Sequence, residues 1–238
     1  MIRHAVVLAA GRGTRMGVLT RDTAKPLLEV AGVSLLERVL SGLRDAGIEH
    51  AAVVTGYRAE QVEEAALAMP APALTFVRQD EPRGTAHAIG LARNAIGDAS
   101  FFFGWADIVV APTDYARVVA EADHDAVLGV NHVDDPTEGA AVYFDEGGRV
   151  QRIIEKPPPG TSTTTWNNAG LGVLGPAIWP HLDAVEPSAR GELELADALM
   201  TLLAAGGDVV ARPIEGPWFD VGTPNRLSEA NATLWGAG

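Results

Sequence analysis

Apolar positions along the first half of the chain alternate between two rhythms. His4 to Leu8 (HAVVL) is a continuous apolar run, the pattern of a strand buried on both faces, and it ends in a glycine-rich turn. Ser34 to Ala46 (SLLERVLSGLRDA) repeats its apolar residues at helical spacing and stops at Gly47. The same alternation continues with a strand at Ala51 to Thr55, a helix from about Ala59 to Leu67, a strand at Ala73 to Val77, a helix from about Thr85 to Ala95, and the very apolar strand Ser100 to Gly104 (SFFFG). Strand and helix in strict succession predict a parallel sheet covered by helices on both faces.

Beyond residue 125 the rhythm changes. Ala126 to Val130 reads as another buried strand, and Ala140 to Phe144 and Val150 to Ile154 flank DEGGR, a hairpin turn. Antiparallel strands therefore join the parallel core. Pro157 to Thr165 (PPPGTSTTT) suits neither a central strand nor a helix and is expected to be a mobile loop. A strand near Leu171, helices near Pro176 to Leu182 and Leu193 to Ala205, a strand at Val209 to Pro213 and a helix from about Pro224 complete the pattern. The expected fold is a Rossmann-like α/β three-layer sandwich with a mixed, mostly parallel sheet. Its 238 residues suit one domain (1–238), with halves at about 1–125 and 126–238.

Composition narrows the function. No apolar run approaches the ~20 residues of a membrane span, no signal-peptide order is present, and there is no cysteine to form a disulfide or thiolate site. A soluble cytoplasmic protein without a membrane partner is expected. The formal net charge of −13 argues against nucleic acid as a partner. A small anion is still admissible if cations are concentrated at one site. Of 18 basic side chains only Lys25 and Lys156 are lysine, and each precedes a proline. In a chain that uses arginine elsewhere, these two suggest places that need a compact point charge, as monodentate phosphate contacts do.

The turn after the first strand lies where doubly wound sheets bind ligands. It reads LAAGRGTRMGVLTRDTAKP (8–26). A dinucleotide fingerprint fails at its third position, Met16, and the second strand ends in VVTG with no ribose-binding carboxylate; a Walker sequence is absent as well. What remains, L-A-A-G-x-G-T-R-M with a following Lys-Pro, resembles the signature of the sugar-phosphate nucleotidylyltransferases. Within that family the chain resembles the glucose-1-phosphate thymidylyl- and uridylyltransferases, in a short single-domain form.

The resemblance runs along nearly the whole sequence. It implies that Leu8, Ala10, Gly11, Gly13 and Thr14 lie on a nucleotide whose phosphates meet Arg15 and Lys25. In QDEPRGTAHAI, Gln79, Gly84, Thr85 and Ala86 resemble the base-reading segment, and a glutamine amide suits the edge of uracil or thymine. Asp107 and Asp220, the latter in WFDVGTP, stand where the family holds Mg²⁺, for which two carboxylates suffice. The family usually has glycine before the first aspartate, whereas this chain has Trp105-Ala106. Lys156 and Glu155 in IIEKP, Asn168 and Gly170 in NNAGLGV, Gly139 in TEGAAVYF and Arg190 in RGELELADAL resemble the segments around the sugar phosphate, which would form a small antiparallel sugar-binding extension.

The reaction implied is attack of a sugar-1-phosphate oxygen on the α-phosphorus of a nucleoside triphosphate, UTP or dTTP, to give a nucleotide sugar and pyrophosphate. An ionised phosphate needs no general base, so catalysis consists of aligning two anions and stabilising charge. The six histidines (4, 50, 87, 124, 132, 181) show no clustered spacing and are read as structural, with His87 at most bordering the base pocket. Other readings are a relative using CTP or GTP, one taking a cyclitol phosphate or phosphocholine, a non-catalytic nucleotide-sugar sensor, and a nicotinamide-dependent oxidoreductase. The chain ends soon after WFDVGTP, so a single activity without a repetitive acetyltransferase domain is expected. The oligomeric state is open.

Overall fold

The computed structural model describes residues 1–235, so the last three residues of the expected 1–238 domain lie outside it. The chain runs β1 (His4–Ala9), two short 3₁₀ turns (Thr14–Thr20 and Lys25–Leu27), β2 (Glu29–Val30), β3 (Val33–Ser34), α1 (Leu35–Asp45), β4 (His50–Thr55), α2 (Ala59–Leu67), β5 (Ala73–Arg78), α3 (Thr85–Leu91), α4 (Arg93–Ile96), β6 (Phe101–Trp105) and β7 (Ile108–Val109). It continues through α5 (Pro112–Ala120), β8 (Ala126–His132), a 3₁₀ turn (Pro136–Glu138), β9 (Ala140–Phe144), β10 (Val150–Glu155), β11 (Trp166–Leu174), α6 (Ile178–Asp183), α7 (Leu195–Ala204), β12 (Val209–Pro213), β13 (Phe219–Asp220) and α8 (Pro224–Trp235).

Nine strands form one mixed sheet that passes through both halves of the chain. Strands β5, β4, β1 and β6 lie side by side in parallel, with β1 between β4 and β6. Long β11 runs antiparallel to β6 and β8, and β12 closes that edge parallel to β8. The hairpin β9–β10 attaches beside the first half of β11. A bulge interrupts the β11–β8 register between Asn168 and Gly172 and opens the sheet there.

Strand β6 shows how the layers arise. Phe101 and Phe103 enter a core with residues of α3, α6 and α7, while Phe102 enters the opposite core with residues of α1, α2 and α5. All three rings are fully buried, each worth roughly 1.5–3 kcal/mol by removal from water. Alternate side chains of one strand thus require helices on both faces. A third cluster joins Met16 of the first loop to Val109, Phe219, Val221 and Ala230. It clamps the WFDVGTP segment and α8 against the loop that follows β1.

The elements differ from the sequence pattern in detail. The helix expected over Thr85–Ala95 breaks at Ala92, whose N–H turns back to Ile89 and Gly90. The stretch Pro157–Thr165 forms no strand or helix. Helix α5 and the two-residue strands β7 and β13 had no counterpart in the pattern. Among the described residues no helix is long and apolar enough to cross a membrane.

Candidate active site

Two cavities open at the carboxyl ends of β1 and β6. The smaller, about 230 Å³, is lined by Leu8, Ala10 and Gly11 of the first loop, by Lys25, and by Gln79, Gly84 and Thr85. The larger, about 660 Å³, is bounded by Gly139, Glu155, Lys156, Asn168, Gly170 and Arg190, with Asp220 and Arg15 at its near end. Thr85, Trp105, Asp107 and Glu192 line both. Each lysine therefore belongs to its own cavity, and Asp107 stands at their junction.

The first loop bends sharply because Gly13 and Gly17 both take positive φ. A Cβ at Gly13 would lie 2.9 Å from Lys25 Cβ, so the glycine is what lets Lys25 tuck beneath the loop. Gly13 and Thr14 themselves lie outside both linings. Lys25 is 7% exposed and its Nζ donates a short hydrogen bond to Asp107 Oδ2. A buried ammonium needs such a partner.

Asp107 and Asp220 are brought together by the smallest elements of the fold. Strand β13 pairs antiparallel with β7, setting Asp220 opposite Ile108, and Val221 N–H donates to Asp107 O at 3.0 Å. Burial, and next the charge of Asp107, raise the Asp220 carboxyl above the usual aspartate range, while Lys25 and Arg15 oppose that shift. Two neighbouring carboxylates of this kind have the hard oxygen chemistry that a divalent cation takes.

Arg15 points to the larger cavity rather than to the glycine loop's own pocket. Its Nη1 donates to Glu138 at 3.3 Å, and a Cβ at Gly222 would lie 2.8 Å from its Nη2 and 3.1 Å from Asp220 Oδ1. The guanidinium thus lies over Gly222 beside Asp220. Lys156 follows β10 in a left-handed conformation, φ 43°, with its N–H on Gly139 O at 2.7 Å. A Cβ at Gly139 would fall 2.1 Å from Asn167 Oδ1, so a side chain there would displace the Asn167 amide. Asn168 Oδ1 accepts the Gly170 N–H at 3.0 Å, which shapes the bulge of β11.

Thr85 and Arg190 are held by neighbouring protein groups. Thr85 Oγ1 accepts the first N–H of α7, from Leu195, at 2.9 Å, and Ala86 N–H and Leu193 N–H complete a zipper between residues 83–86 and 193–195. Arg190 donates to buried Glu194 at 2.5 Å and lies 3.5 Å from Glu155 and 3.8 Å from Glu192. Gln79 is buried, and its amide donates to Gly84 O at 3.3 Å and to His87 Nδ1 at 3.1 Å. His87 is thus a support for Gln79, and burial lowers its pKa so that the neutral ring accepts.

The requirement for concentrated cations is not met as composition suggested. Around the larger cavity eight carboxylates face four cationic side chains. Glu138 and Asn167 had no distinguishing sequence signal of their own, whereas the acidic run of RGELEL hinted at Glu192 and Glu194. Such walls repel an anion unless extra positive charge enters with it.

Glu155 gives a measurable consequence. Burial, and then the charge of Glu194, raise its carboxyl above the ordinary glutamate value, against the attraction of Arg190 and Lys156. Its proton is held more tightly in the fold than in the unfolded chain. The resulting stability is fully present below the ordinary glutamate pKa, about 4.3, and is lost as pH rises through the raised value. Glu155→Gln is therefore expected to gain melting temperature relative to wild type at pH 8 compared with pH 4. A difference independent of pH would refute the buried-charge account.

The protein is an α/β fold with a mixed sheet and two adjoining pockets at its strand ends, each lined by one lysine. The model of the nucleotidyl transferase family matches residues 4–235, and the chain belongs to that family. It is 34% identical over 235 residues to a glucose-1-phosphate thymidylyltransferase of Streptomyces antibioticus, covering 97% of this chain and 65% of that protein. It is 32% identical over 241 residues to a UTP–glucose-1-phosphate uridylyltransferase of Haloferax volcanii, covering 97% and 96%. The chain spans slightly less than two thirds of the length of several curated relatives. A crystal structure of a UDP-glucose pyrophosphorylase complexed with UDP-glucose superposes with a TM-score of 0.89 over the full length of both chains at 22% identity, a likeness of fold.

Proposed function

We propose that this protein joins a nucleoside triphosphate to a sugar-1-phosphate, releasing pyrophosphate. The observation that carries the reading is the pair of cavities meeting at Asp107, with Lys25 in one and Lys156 in the other. The nucleotide takes the smaller cavity, its phosphates against Gly11 and Lys25. The acceptor takes the larger one, its phosphate near Lys156 and its hydroxyls near Glu155 and Asn168. The relatives named as glucose-1-phosphate transferases favour glucose-1-phosphate as the acceptor.

Asp107 and Asp220 are the residues that would hold Mg²⁺, which supplies charge neutralisation to the phosphates when bound. Lys25, paired with Asp107 in this structure, exchanges that partner for a triphosphate oxygen as the nucleotide enters. A phosphate oxygen of the acceptor attacks the α-phosphorus; the bond from that phosphorus to the β-phosphate bridging oxygen breaks, and pyrophosphate carries away the electron pair. Lys156 and Arg15 flank the reacting phosphates. The acceptor is already ionised, so no side chain has to take a proton.

Gln79 favours uracil or thymine. Its two amide hydrogens are taken by Gly84 O and His87 Nδ1, which leaves its carbonyl oxygen to accept from the N3–H that these bases present. The test is pyrophosphate release from each of UTP, dTTP, CTP and GTP against glucose-1-phosphate, cyclitol phosphate and phosphocholine. Turnover with UTP or dTTP and a sugar-1-phosphate is expected. Exclusive turnover with CTP or GTP would reverse the base assignment, and no release with any pair would reverse the activity.

A further inference from the structure

Trp105 is the aromatic side chain common to both cavities. It ends β6 two residues before Asp107, in register with Leu8 of β1. Phe103 meets it edge to face, centroids 5.7 Å apart and planes at 71°. Gly170, at φ 78°, leaves room for it: a Cβ there would stand 3.3 Å from Trp105 Cε3 and 2.8 Å from Ile108 Cγ1. Gly170 and Ile108 line the larger cavity alone, so the indole is seated among residues of the acceptor side. The indole N–H groups of Trp179 and Trp218 donate to Gly97 O and Ala169 O. That of Trp105 finds no acceptor among the described residues.

We propose that Trp105 is a specificity-determining residue, the wall against which the acceptor's sugar ring packs. This rests on the activity proposed above. A pyranose presents an apolar C–H face and a rim of hydroxyls, and a partly exposed indole offers a flat π-face with one donor at its edge. The larger cavity also has apolar lining from Ile108, Val133, Leu195 and Trp218 beside carboxylates that accept from hydroxyls, and of its two tryptophans only Trp105 borders the smaller cavity as well. Trp105 thus contributes a flat contact that a sugar ring covers and that a small linear phosphate ester with neither a flat nor a cationic face leaves empty. Because Phe103 and Gly170 fix the indole from behind, its position also limits how large a ring enters.

The test compares wild type with Trp105→Leu and Trp105→Phe in steady-state kinetics with UTP or dTTP and glucose-1-phosphate, after confirming cooperative melting. Trp105→Leu is expected to raise the acceptor KM by roughly tenfold, the scale of one apolar contact in a specificity pocket. The nucleotide KM should stay within about twofold, and Trp105→Phe should recover part of the loss. An unchanged acceptor KM, or equal rises in both KM values, would overturn the proposal. A wild type that turns over no acceptor would instead remove the activity, and the inference with it. If Trp105→Leu does not fold, tryptophan emission decides: addition of glucose-1-phosphate should change the emission of wild type and change that of Trp105→Phe by less than half as much. An undiminished change overturns the assignment.

Discussion

Asp220→Asn is expected to abolish turnover, by about 10³-fold or more if the carboxylate holds the ion that neutralises the phosphates, while leaving the protein as stable as wild type or more so. The reason lies in the local charge. Ionised Asp220 is disfavoured by burial and by Asp107, so a neutral isostere removes a penalty at neutral pH and leaves the Lys25–Asp107 pair intact. Asp107→Asn acts in the opposite sense on stability. It strips the nearly buried Lys25 of its partner, and breaking a pair from one side costs about 3–5 kcal/mol where burial is complete; Asp107 is partly exposed, so the loss is smaller. Both variants should lose the thermal stabilisation that Mg²⁺ gives wild type in the presence of nucleotide. An Asp220→Asn protein that keeps full activity, or an undiminished Mg²⁺ shift in the double variant, would take the aspartates out of the cation site.

The contrast between those two aspartates also shows what was readable in the chain. Asp107 and Asp220 were both visible as candidates, because Asp107 follows the apolar strand SFFFG at a position that resembles the family's, and Asp220 lies in WFDVGTP, which resembles a family signature. Their adjacency was implied by that resemblance alone and not by the local pattern, because it depends on β7 and β13, which pair over two residues each. Two residues carry no period for a pattern to detect. The layered core was legible for the converse reason: FFF in β6 has to divide between two faces, and the flanking helices repeat at a period that can meet them. The zipper between residues 83–86 and 193–195 was hidden, since it is made of backbone groups more than 100 positions apart. The same contact draws Glu192 and Glu194 to the cavity, which is why its acidity differs from an expectation built on two lysines. Arg15 is a related case. Its position in the glycine turn was plain, but the direction of its long side chain is set by Gly222 and Glu138, far away in sequence.

Lys156→Ala is expected to lower kcat/KM for the acceptor by about 10²–10³-fold, the usual cost of deleting one charged donor to a reacting phosphate, with nucleotide binding retained. Two features make this a clean substitution. Lys156 takes positive φ, and alanine bears the same backbone strain as lysine, so the conformational cost of the site does not change. Its backbone N–H keeps the bond to Gly139 O, so the loop beside Gly139 and Asn167 stays in place. The loss is therefore one of charge. Among the cationic side chains of the larger cavity, Arg190 is engaged by Glu194, Glu155 and Glu192, Arg15 by Glu138 and Arg226 by Glu229. None of them replaces a compact ammonium at the end of β10. Lys156→Arg should recover only part of the rate, because a planar fork does not occupy the place of a point charge. If Lys156→Ala matches wild type in both kcat and acceptor KM, the acceptor phosphate lies elsewhere, and Arg190, freed from its carboxylates, becomes the group to examine.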